Sequence, residues 1–446
     1  MKRPRFGRIR IPARLTQRWR ARLRAQRRWW RARRRSETKT EVLFPPAGRG
    51  MVAVETLAAG ARGGSGPRIA ILHASAGSGH RSAAKALAAA IVQRSPPATV
   101  RELDTLVFAS RLYRGTYAAS YNAMAARAPA LWGALYHSWA LAPVYRGTAP
   151  VRLAVDRLNL RRLVRVFERE PCDAVVCTHF LPIEALSPSR AHGRLRVPLY
   201  CVITDFGAHP FWAFPHVDRY FVASDEVATE LVGLGVPEKR IEVSGIPVDP
   251  RFATLIGAEA ARERFGLDGG RPVVLVMGGG HGVGPLSDLA DRLASLEAGP
   301  HVLVVCGSNR RLREQVDQLP AGRTGRIRTF GFTPDVDGLL EAADVVVSKA
   351  GGLTCSEALV KRAPLVIFKP TPGQEVRNAR YLEQGGAAVH ADSVEEVEAT
   401  VREWLSDPAA RERVRQAASR LARPHAAETI AERVLEAIPA AARRSA

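Results

Sequence analysis

The chain has 446 residues, of which 46% are hydrophobic and 24% charged, and its formal net charge is +23. This composition excludes a disordered protein, and the length predicts more than one domain. The longest apolar runs are shorter than the ~18 residues that a membrane-spanning helix needs, so we expect none.

The positive charge is concentrated at the amino terminus. Residues 1–35 contain fifteen Arg and Lys2 but no acidic residue, so the rest of the chain carries only +7. Four apolar residues recur at every fourth position of this segment, namely Ile11, Leu15, Trp19 and Leu23. This spacing favours a basic amphipathic helix on an anionic lipid surface. An RNA-binding arm, or translated sequence upstream of a start at Met51, would explain the segment as well.

A Gly/Pro/Ala-rich stretch follows and ends at Pro67. We therefore predict an Arg-rich amphipathic segment and a flexible linker over residues 1–67, with regular structure only after them. The basic start is not followed by the apolar segment that a signal peptide requires. Five scattered cysteines lie mostly in apolar runs, which predicts buried thiols in a reducing compartment rather than disulfides. We expect a peripheral protein on the cytoplasmic face of the cell membrane.

From Arg68 onward, short apolar runs alternate with amphipathic stretches, which predicts parallel sheets covered by helices. The strand candidates are RIAILHA, DAVVCTH, PLYCVIT, RYFVAS and IEVSGIP in the first half, and PVVLVMG, HVLVVCG, RIRTFGF, DVVVSKA and PLVIFKP in the second. A break falls between Pro250 and Arg271. We predict an α/β protein with two doubly wound, Rossmann-like domains, 68–252 and 253–426, that face a central cleft. A carboxy-terminal helix and tail, 427–446, would follow.

The first glycine-rich loop, GSGH, joins a predicted strand to a helix and ends on His80. Backbone amides at such a turn can face an anion or an oxygen-rich ligand. The loop matches neither the dinucleotide-binding fingerprint nor a P-loop, so a purely structural role for its glycines stays open.

The second loop, GGGHGVG, contains five glycines in the seven positions 278–284, between a strand and a helix. Glycines at this density let the backbone approach a ligand closely. A diphosphate at the start of the following helix would be the natural ligand, although any nucleotide-binding sheet would fit this pattern.

A third region, SKAGGLTCSEAL, opens a helix at Gly351 and Gly352 and carries Glu357 in its first turns. In a nucleotide site this carboxylate would accept hydrogen bonds from both ribose hydroxyls, whereas helix capping is the structural alternative. The next loop, PGQEVRN, offers three polar side chains suited to hexose hydroxyls, or to a solvated helix start: Gln374, Glu375 and Asn378.

Residues 105–150 contain no acidic residue and many aromatic ones. Tyrosines at 113, 117 and 121 step by four, which places them on one helix face. Core packing would explain such a stripe, but an acid-free aromatic segment also suits contact with anionic lipid. We predict that six residues form an acceptor or membrane surface: Tyr113, Tyr117, Tyr121, Trp132, Tyr136 and Trp139.

These motifs resemble the glycosyltransferase family that includes bacterial processive diacylglycerol β-glucosyltransferases, plant monogalactosyldiacylglycerol synthases and, more distantly, the transferase that completes lipid II. The resemblance extends from Arg68 to Ala426 and rests on six motifs in order: GSGH, VITDFGAHPFW, VSGIPVDPRF, GGGHGVG, SKAGGLTCSEAL and PGQEVRN. It implies an inverting GT-B enzyme that needs no metal. The implied reaction moves glucose or galactose from a UDP-sugar to diacylglycerol or a glycosyl-diacylglycerol.

The resemblance also implies roles for individual residues. The uracil is expected near Phe332 and Thr333, and the ribose on Glu357. The diphosphate is expected on Gly278, Gly279, Gly280, His281, Gly282, Gly351, Gly352 and Leu353. The hexose is expected on Gln374, Glu375 and Asn378.

Inversion in one displacement needs a general base for the acceptor hydroxyl. His80 is the candidate, because an imidazole titrates near the working pH. Asp205, in VITDFGAH, is the rival base or an orienting partner. No DxD-like pair lies in the donor half where a metal-dependent sugar site would need one, so we expect backbone amides and helix dipoles, and no cofactor or metal, to neutralise the diphosphate. Four other histidines show no metal-ligand spacing: His73, His179, His209 and His281.

Two alternatives concern the class of partner. A transferase for a polyprenyl-linked acceptor would have a similar donor half, but the aromatic segment and TDFGAHPFW favour diacylglycerol. A nucleic-acid-binding protein would explain the sequence pI of 10.9, yet not why the charge lies in residues 1–35 while the remainder carries three ligand loops. We therefore expect three partners and no nucleic acid: UDP-glucose or UDP-galactose, diacylglycerol, and an anionic phospholipid surface.

Overall fold

The computed structural model describes residues 38–43, 52–58, 66–75, 77–117, 129–140, 142–170, 172–267 and 270–438. Within these ranges the chain forms two α/β domains, each built on one sheet. The prediction of two doubly wound domains is confirmed.

The sheet of the amino-terminal domain has the order β1-β2-β4-β3-β5-β6-β7-β8. Its strands are β1 (Thr38–Leu43), β2 (Val52–Ala58), β3 (Arg68–His73), β4 (Thr99–Asp104), β5 (Ala174–Cys177), β6 (Leu199–Val202), β7 (Arg219–Val222) and β8 (Ile241–Val243). The strands from β3 to β8 pair in parallel. β1 and β2 form an antiparallel pair, and β2 lies antiparallel to β4 at the sheet edge.

The strands β1 and β2 at this edge contradict the prediction that residues up to Pro67 form only a tail and a linker. β1 and β2 are regular strands, and β2 pairs with β4 through register contacts such as Leu57 with Val100. Both strands contain β-branched residues at alternate positions, which favours a strand. The sequence did not predict these strands, because they are short and lie between Gly- and Pro-rich stretches. Pairing with the sheet stabilises them more than local propensity does.

The sheet of the carboxy-terminal domain has the order β11-β10-β9-β12-β13-β14, and all of its pairs are parallel. Its strands are β9 (Val273–Met277), β10 (His301–Val305), β11 (Ile327–Phe330), β12 (Val345–Ser348), β13 (Leu365–Phe368) and β14 (Ala388–Ala391). The ten strands that the sequence predicted are all present. β4 and β14 were missed because polar residues interrupt their apolar pattern.

The helices cover both faces of each sheet. In the amino-terminal domain they are α1 (Ser78–Arg94), α2 (residues 111–117), α3 (Pro129–Ala140), α4 (Ala142–Asn159), α5 (Arg161–Arg169), α6 (Phe180–Ala191) and α7 (Asp225–Gly233). In the carboxy-terminal domain they are α8 (Ala258–Arg264), α9 (Leu286–Ala294), α10 (Arg310–Asp317), α11 (Pro320–Arg323), α12 (Val336–Ala342), α13 (Gly352–Lys361), α14 (Gln374–Gln384), α15 (Val394–Ser406), α16 (Pro408–Leu421) and α17 (Ala426–Glu436).

The central strands are mostly apolar, because a parallel sheet is buried on both faces. Every residue of β5, β6, β9 and β12 is buried. The last helix, α17, returns to the amino-terminal domain, where Ile430 and Val434 share a core with Leu87 and Ile91 of α1. Both ends of the described chain therefore hold the amino-terminal domain together.

In the described part of the chain, no helix combines the length and the apolar character that crossing a membrane requires.

Candidate active site

The loops at the carboxyl ends of the strands bring the two domains together. The GSGH loop approaches the carboxy-terminal domain closely, since a Cβ added at Gly280 would lie 2.6 Å from Ser78 Oγ. One added at Gly79 would lie 3.7 Å from Leu353 Cβ. The glycine-rich loops of the two domains thus form opposite walls of one cleft, as the sequence predicted.

His80 stands on the amino-terminal wall, in the first turn of α1. Its Nδ1 lies 2.8 Å from the carbonyl oxygen of Thr178 and 2.8 Å from Thr204 Oγ1. A carbonyl oxygen can only accept, so Nδ1 carries the proton and Nε2 keeps a free lone pair. The side chain is partly exposed, and that lone pair is what a general base needs.

Burial lowers the pKa of His80 to about 4, although its hydrogen bond to Thr178 opposes the change. The imidazole is therefore neutral, and able to accept a proton, throughout the neutral range. This pKa lies below the value expected for an imidazole that titrates near the working pH, because desolvation disfavours the charged ring.

Asp205 lies in the loop after β6, next to Thr204. Burial raises its pKa to about 6, against the effect of a hydrogen bond from Asn378. Asn378 Nδ2 donates to Asp205 Oδ1 at 3.1 Å, so the carboxylate is held by the opposite domain. This contact suits an orienting role more than that of a base.

Asn378 is fully buried on α14. Its Oδ1 accepts from Phe206 N at 2.7 Å, and its Nδ2 also donates to the carbonyl of Ala350 at 2.9 Å. All three bonds are internal, so the side chain joins the two domains in this structure and presents no free amide to a sugar. The sequence pattern did not reveal this, because Asp205 and Phe206 lie 173 and 172 residues away along the chain.

The two other polar residues of the same motif are half-buried. Gln374 and Glu375 form the first turn of α14. Glu375 accepts from Lys349 Nζ at 3.2 Å and from Thr371 N at 2.6 Å. These contacts fix the carboxylate at the helix start, where a hexose hydroxyl would find a rigid acceptor.

The glycine-rich loop after β9 can adopt its shape only with glycine at several positions. Gly279, Gly282 and Gly284 have φ values of +69°, +58° and +124°, a region that side chains disfavour. A Cβ at Gly282 would also lie 2.9 Å from Asn309 Cβ. His281, between them, is exposed.

Two helices begin beside this cleft without a side-chain cap: α9 after Pro285, and α13 after Gly351. Their first-turn amides are therefore not occupied by a capping side chain, and the positive end of each helix dipole favours an anion. Of the predicted diphosphate residues, Gly351, Gly352 and Leu353 lie at the second of these starts, whereas the other five lie in the loop after β9. A Cβ on Gly352 would clash with the carbonyl oxygen of Thr204, so only glycine permits this approach.

Glu357 is half-buried in the middle of α13. Burial raises its pKa to about 8, Asp249 adds to the rise and Arg251 opposes it. Phe332, in the loop after β11, is 78% exposed, and its neighbour Thr333 accepts a hydrogen bond from Asp335 N at 3.2 Å. The exposed ring of Phe332 and the half-buried carboxyl of Glu357 are groups that can contact a base and a ribose.

A cavity of about 460 Å³ opens at the carboxyl ends of β9, β12, β13 and β14. Met277, Gly284, Lys349, Thr371 and Val376 are among its lining residues. It therefore adjoins both the glycine-rich loop and the side chains that hold Glu375. Within the described residues, no group of three or more His, Cys, Asp or Glu side chains is placed to hold a metal ion.

Of the predicted aromatic surface residues that the structure describes, Tyr136 is buried and the other four are half-buried. Tyr136 is only 8% exposed and its ring lies 4.4 Å from that of His209, so its assignment to a membrane surface is wrong. Tyr113 stacks on Tyr117 with ring centroids 5.5 Å apart and donates to Asp156 at 2.5 Å. Periodicity alone could not separate a core stripe from a surface stripe.

The two predicted tryptophans also contact other aromatic rings. Trp139 contacts Phe211, with ring centroids 5.7 Å apart, and Trp132 contacts Tyr136, with centroids 6.3 Å apart. Tyr121 lies outside the described residues. Aliphatic side chains take the exposed positions instead: Leu112, Leu131, Val144, Val151, Val155 and Leu158.

Sequence reasoning missed the residues that hold His80. Thr178 and Thr204 follow β5 and β6, and both bond its Nδ1. His179 lies beside His80, with ring centroids 4.6 Å apart. The motifs VCTHF and VIT did carry a signal, because polar residues directly after buried parallel strands point to the ligand-binding edge of the sheet.

Two α/β domains that face a cleft of strand-end loops define the GT-B class of glycosyltransferases. MurG of Acinetobacter baumannii shares the fold at 17% identity and a TM-score of 0.52, over 83% of this chain and 99% of that one. Os79 of O. sativa, solved in complex with UDP, shares it at 17% identity and a TM-score of 0.54, over 82% of this chain and 100% of that one.

Sequence comparison identifies the branch within this class. The family model for monogalactosyldiacylglycerol (MGDG) synthase matches residues 80–248, and that for the glycosyltransferase family 28 C-terminal domain matches residues 273–434. A processive diacylglycerol beta-glucosyltransferase of Bacillus cytotoxicus is 33% identical over 278 residues, 62% of this chain and 71% of that protein. The same enzyme of Bacillus thuringiensis is 32% identical over 277 residues, with the same shares. The chain belongs to this family of glycosyltransferases, as its motifs predicted.

Proposed function

We propose that the protein transfers glucose or galactose, with inversion, from a UDP-sugar to the hydroxyl of diacylglycerol or of a glycosyl-diacylglycerol. The single observation that supports this most is the position of His80. The imidazole of His80 is neutral, with its proton on Nδ1 and a free lone pair on Nε2. It lies on the wall opposite two helix starts that have no side-chain cap. The relatives' names supply the acceptor, and the UDP bound to the structural neighbour Os79 agrees with the donor.

The reaction divides between the two walls. His80 Nε2 takes the proton of the acceptor hydroxyl as its oxygen attacks the anomeric carbon. The bond from that carbon to the β-phosphate oxygen breaks, and UDP leaves with the electron pair. Backbone amides at the starts of α9 and α13 stabilise the diphosphate, so we propose that no metal is needed.

The remaining donor contacts follow the predicted roles. Glu357 accepts from the ribose hydroxyls, Phe332 and Thr333 lie against the uracil, and Gln374 and Glu375 bind the hexose. Glucose is the first donor to test, because the relatives at 32–33% identity are named glucosyltransferases.

The acceptor enters from a membrane, which we propose to be the cytoplasmic face of the cell membrane. Val144, Val151, Val155 and Leu158 are spaced by seven, four and three residues and so share one exposed face of α4. An apolar stripe of this kind beside basic residues suits contact with lipid. α4 packs against α6, which begins next to His179, so the stripe lies on the acceptor side of the cleft.

The deciding experiment incubates the purified full chain with diacylglycerol-containing liposomes and either UDP-glucose or UDP-galactose, with and without EDTA, and identifies the lipid products. We expect a glycosyl-diacylglycerol, formed equally with EDTA. Loss of activity in EDTA that a divalent cation restores would refute metal independence alone. Transfer to a polyprenyl-linked acceptor but not to diacylglycerol would refute the proposed acceptor.

A further inference from the structure

A second histidine lies directly beside the proposed base. His179 precedes α6 and caps it, and its ring meets that of His80 edge-on, at 80°, with centroids 4.6 Å apart. The indole of Trp212 completes a triangle, 6.4 Å from each imidazole. Three rings therefore surround one small region at the carboxyl ends of β5 and β6.

The backbone fixes the two imidazoles in opposite tautomers. His80 Nδ1 donates to the carbonyl of Thr178, which leaves Nε2 as an acceptor. His179 Nδ1 instead accepts from Leu181 N at 3.1 Å, so its proton must be on Nε2. Burial lowers the pKa of both rings, and each is therefore neutral with its tautomer set by its backbone partner.

The two Nε2 atoms are thus one acceptor and one donor. Among the described residues neither atom has a hydrogen-bond partner in the structure, although the His179 residue is only 3% exposed. An N–H group with so little access to water gains from a ligand that brings an acceptor oxygen to it. Capping α6 explains Nδ1 of His179 but leaves its Nε2 unexplained.

We propose that His179 is a second catalytic residue, which holds the acceptor hydroxyl by donating Nε2–H to its oxygen while His80 Nε2 accepts its proton. This inference rests on the proposed transfer to a lipid hydroxyl. A hydroxyl oxygen has one hydrogen and two lone pairs. The hydrogen goes to His80, one lone pair accepts from His179, and the other forms the new bond to the anomeric carbon as the bond to UDP breaks. His80 then releases its proton to water.

The test distinguishes the capping role of His179 Nδ1 from the proposed donor role of its Nε2. Asn is a good helix cap and can still accept from Leu181 N, but it has no group at the position of Nε2. In His179→Asn we expect kcat/KM for diacylglycerol to fall by about 10- to 100-fold, the range for losing one hydrogen bond in a transition state. UDP affinity and the midpoint of thermal unfolding should stay as in the wild type.

Two further variants serve as controls for the loss of the cap. His179→Phe removes both the cap and the donor, so we expect the same loss in kcat/KM together with a lower unfolding midpoint. Ser393→Ala removes a cap from α15, where Ser393 Oγ accepts from Glu396 N at 3.1 Å. It should lower the midpoint without changing kcat/KM for the acceptor.

An unchanged kcat/KM in His179→Asn would overturn the inference. So would a loss of activity that is matched by losses of stability and UDP affinity, since that would be a structural effect. If the wild type itself fails to glycosylate diacylglycerol, the proposed function fails and the inference with it. Normal transfer by both the wild type and His179→Asn refutes the role of His179 alone.

Discussion

Two ionisable side chains on opposite walls of the cleft are uncharged near neutral pH for the same reason. Burial lowers the pKa of His80 to about 4 and raises that of Glu357 to about 8. In both cases desolvation disfavours the charged form. The functional consequences differ, because His80 must be neutral to accept a proton, whereas Glu357 accepts hydrogen bonds best as a carboxylate.

For His80 we predict that replacement by Ala lowers turnover about 100-fold or more, the usual contribution of a general base, and leaves UDP binding nearly unchanged. Since the base must be unprotonated, wild-type activity should be lost only as the pH falls through about 4. Asp205, whose pKa is raised to about 6, would give a loss at that higher pH. The pH profile of kcat/KM therefore distinguishes the two residues. Near-normal activity of His80→Ala would assign the role to Asp205.

For Glu357 we predict opposite effects on binding and stability. Its pKa is raised in the folded protein, so folding favours the protonated form, and stability falls as the pH rises from the unfolded value towards about 8. Glu357→Gln should therefore be more stable than the wild type at a pH of about 8. Above a pH of about 8, where the wild-type carboxylate is ionised, Glu357→Gln should bind UDP about tenfold more weakly or worse, because charged hydrogen bonds to the ribose are lost.

Calorimetric titration with UDP and thermal unfolding at two pH values measure these effects. Glu259→Gln, on the exposed surface of α8, is the matched control and should change neither quantity. Unaltered UDP affinity in Glu357→Gln would mean that the ribose binds elsewhere.

At the scale of elements, α14 links the sugar site to the base. Its first turn carries Gln374 and Glu375, and its next turn holds the loop after β6 through Asn378. Arg377 adds bonds to the carbonyl of Ala208 and to Glu230. That same loop begins next to Thr204, which contacts His80, so one helix fixes the position of one wall against the other.

We predict that Asn378→Ala destabilises the protein by about 1–3 kcal/mol, because it leaves Phe206 N and Asp205 without a buried partner. Turnover should fall about tenfold as the base loses its alignment, with little change in UDP affinity, since small misplacements of reacting groups are costly. Thermal unfolding and steady-state kinetics measure both effects. Asn159→Ala, at a partly exposed Asn of α4, is the control. A change in sugar preference, with normal stability, would return Asn378 to the hexose site.

At the scale of the whole molecule, two different surfaces are available to a membrane. One is the basic segment 1–35, whose structure lies outside the described residues. The other is the apolar stripe on α4, where Val151 is 70% exposed. Charge attraction is screened by salt, whereas apolar contact is much less so.

We predict that deleting residues 1–37, and so leaving β1 intact, strongly lowers binding to anionic liposomes at low salt. Each basic residue near such a surface contributes roughly 1 kcal/mol. Transfer to detergent-solubilised diacylglycerol should be preserved. If transfer in detergent is lost as well, the basic segment takes part in catalysis. Flotation at low and high salt, alongside the transfer assay, measures this.

The paired change Val151→Gln and Val155→Gln should instead lower liposome binding at high salt and transfer from liposomes, while transfer in detergent persists. Val232→Gln changes an exposed valine of α7 and serves as the matched control. Equal effects of the two variants would show that the stripe has no special role.

Local sequence determined much of this protein, because some signals act over a few residues. Short apolar runs specified ten parallel strands, and the strands that are buried on both faces gave the clearest signal because they leave no place for polar side chains. Glycines in GGGHGVG specified a tight loop at a helix start, since their positive φ values exclude other residues. Six such motifs in order were enough to identify the family and the GT-B fold.

Tertiary structure decided what depends on neighbours far along the chain. The pKa of His80 is lowered by burial, and its Nδ1 contacts Thr178 and Thr204, which lie 98 and 124 residues away. The bonds of Asn378 to Asp205 span 173 residues, and they changed its assignment from sugar contact to domain joint. The strand β2 and the buried Tyr136 also required the packed domains. Burial and hydrogen-bond partners are properties of the folded chain, so the sequence pattern contains the residues but not their surroundings.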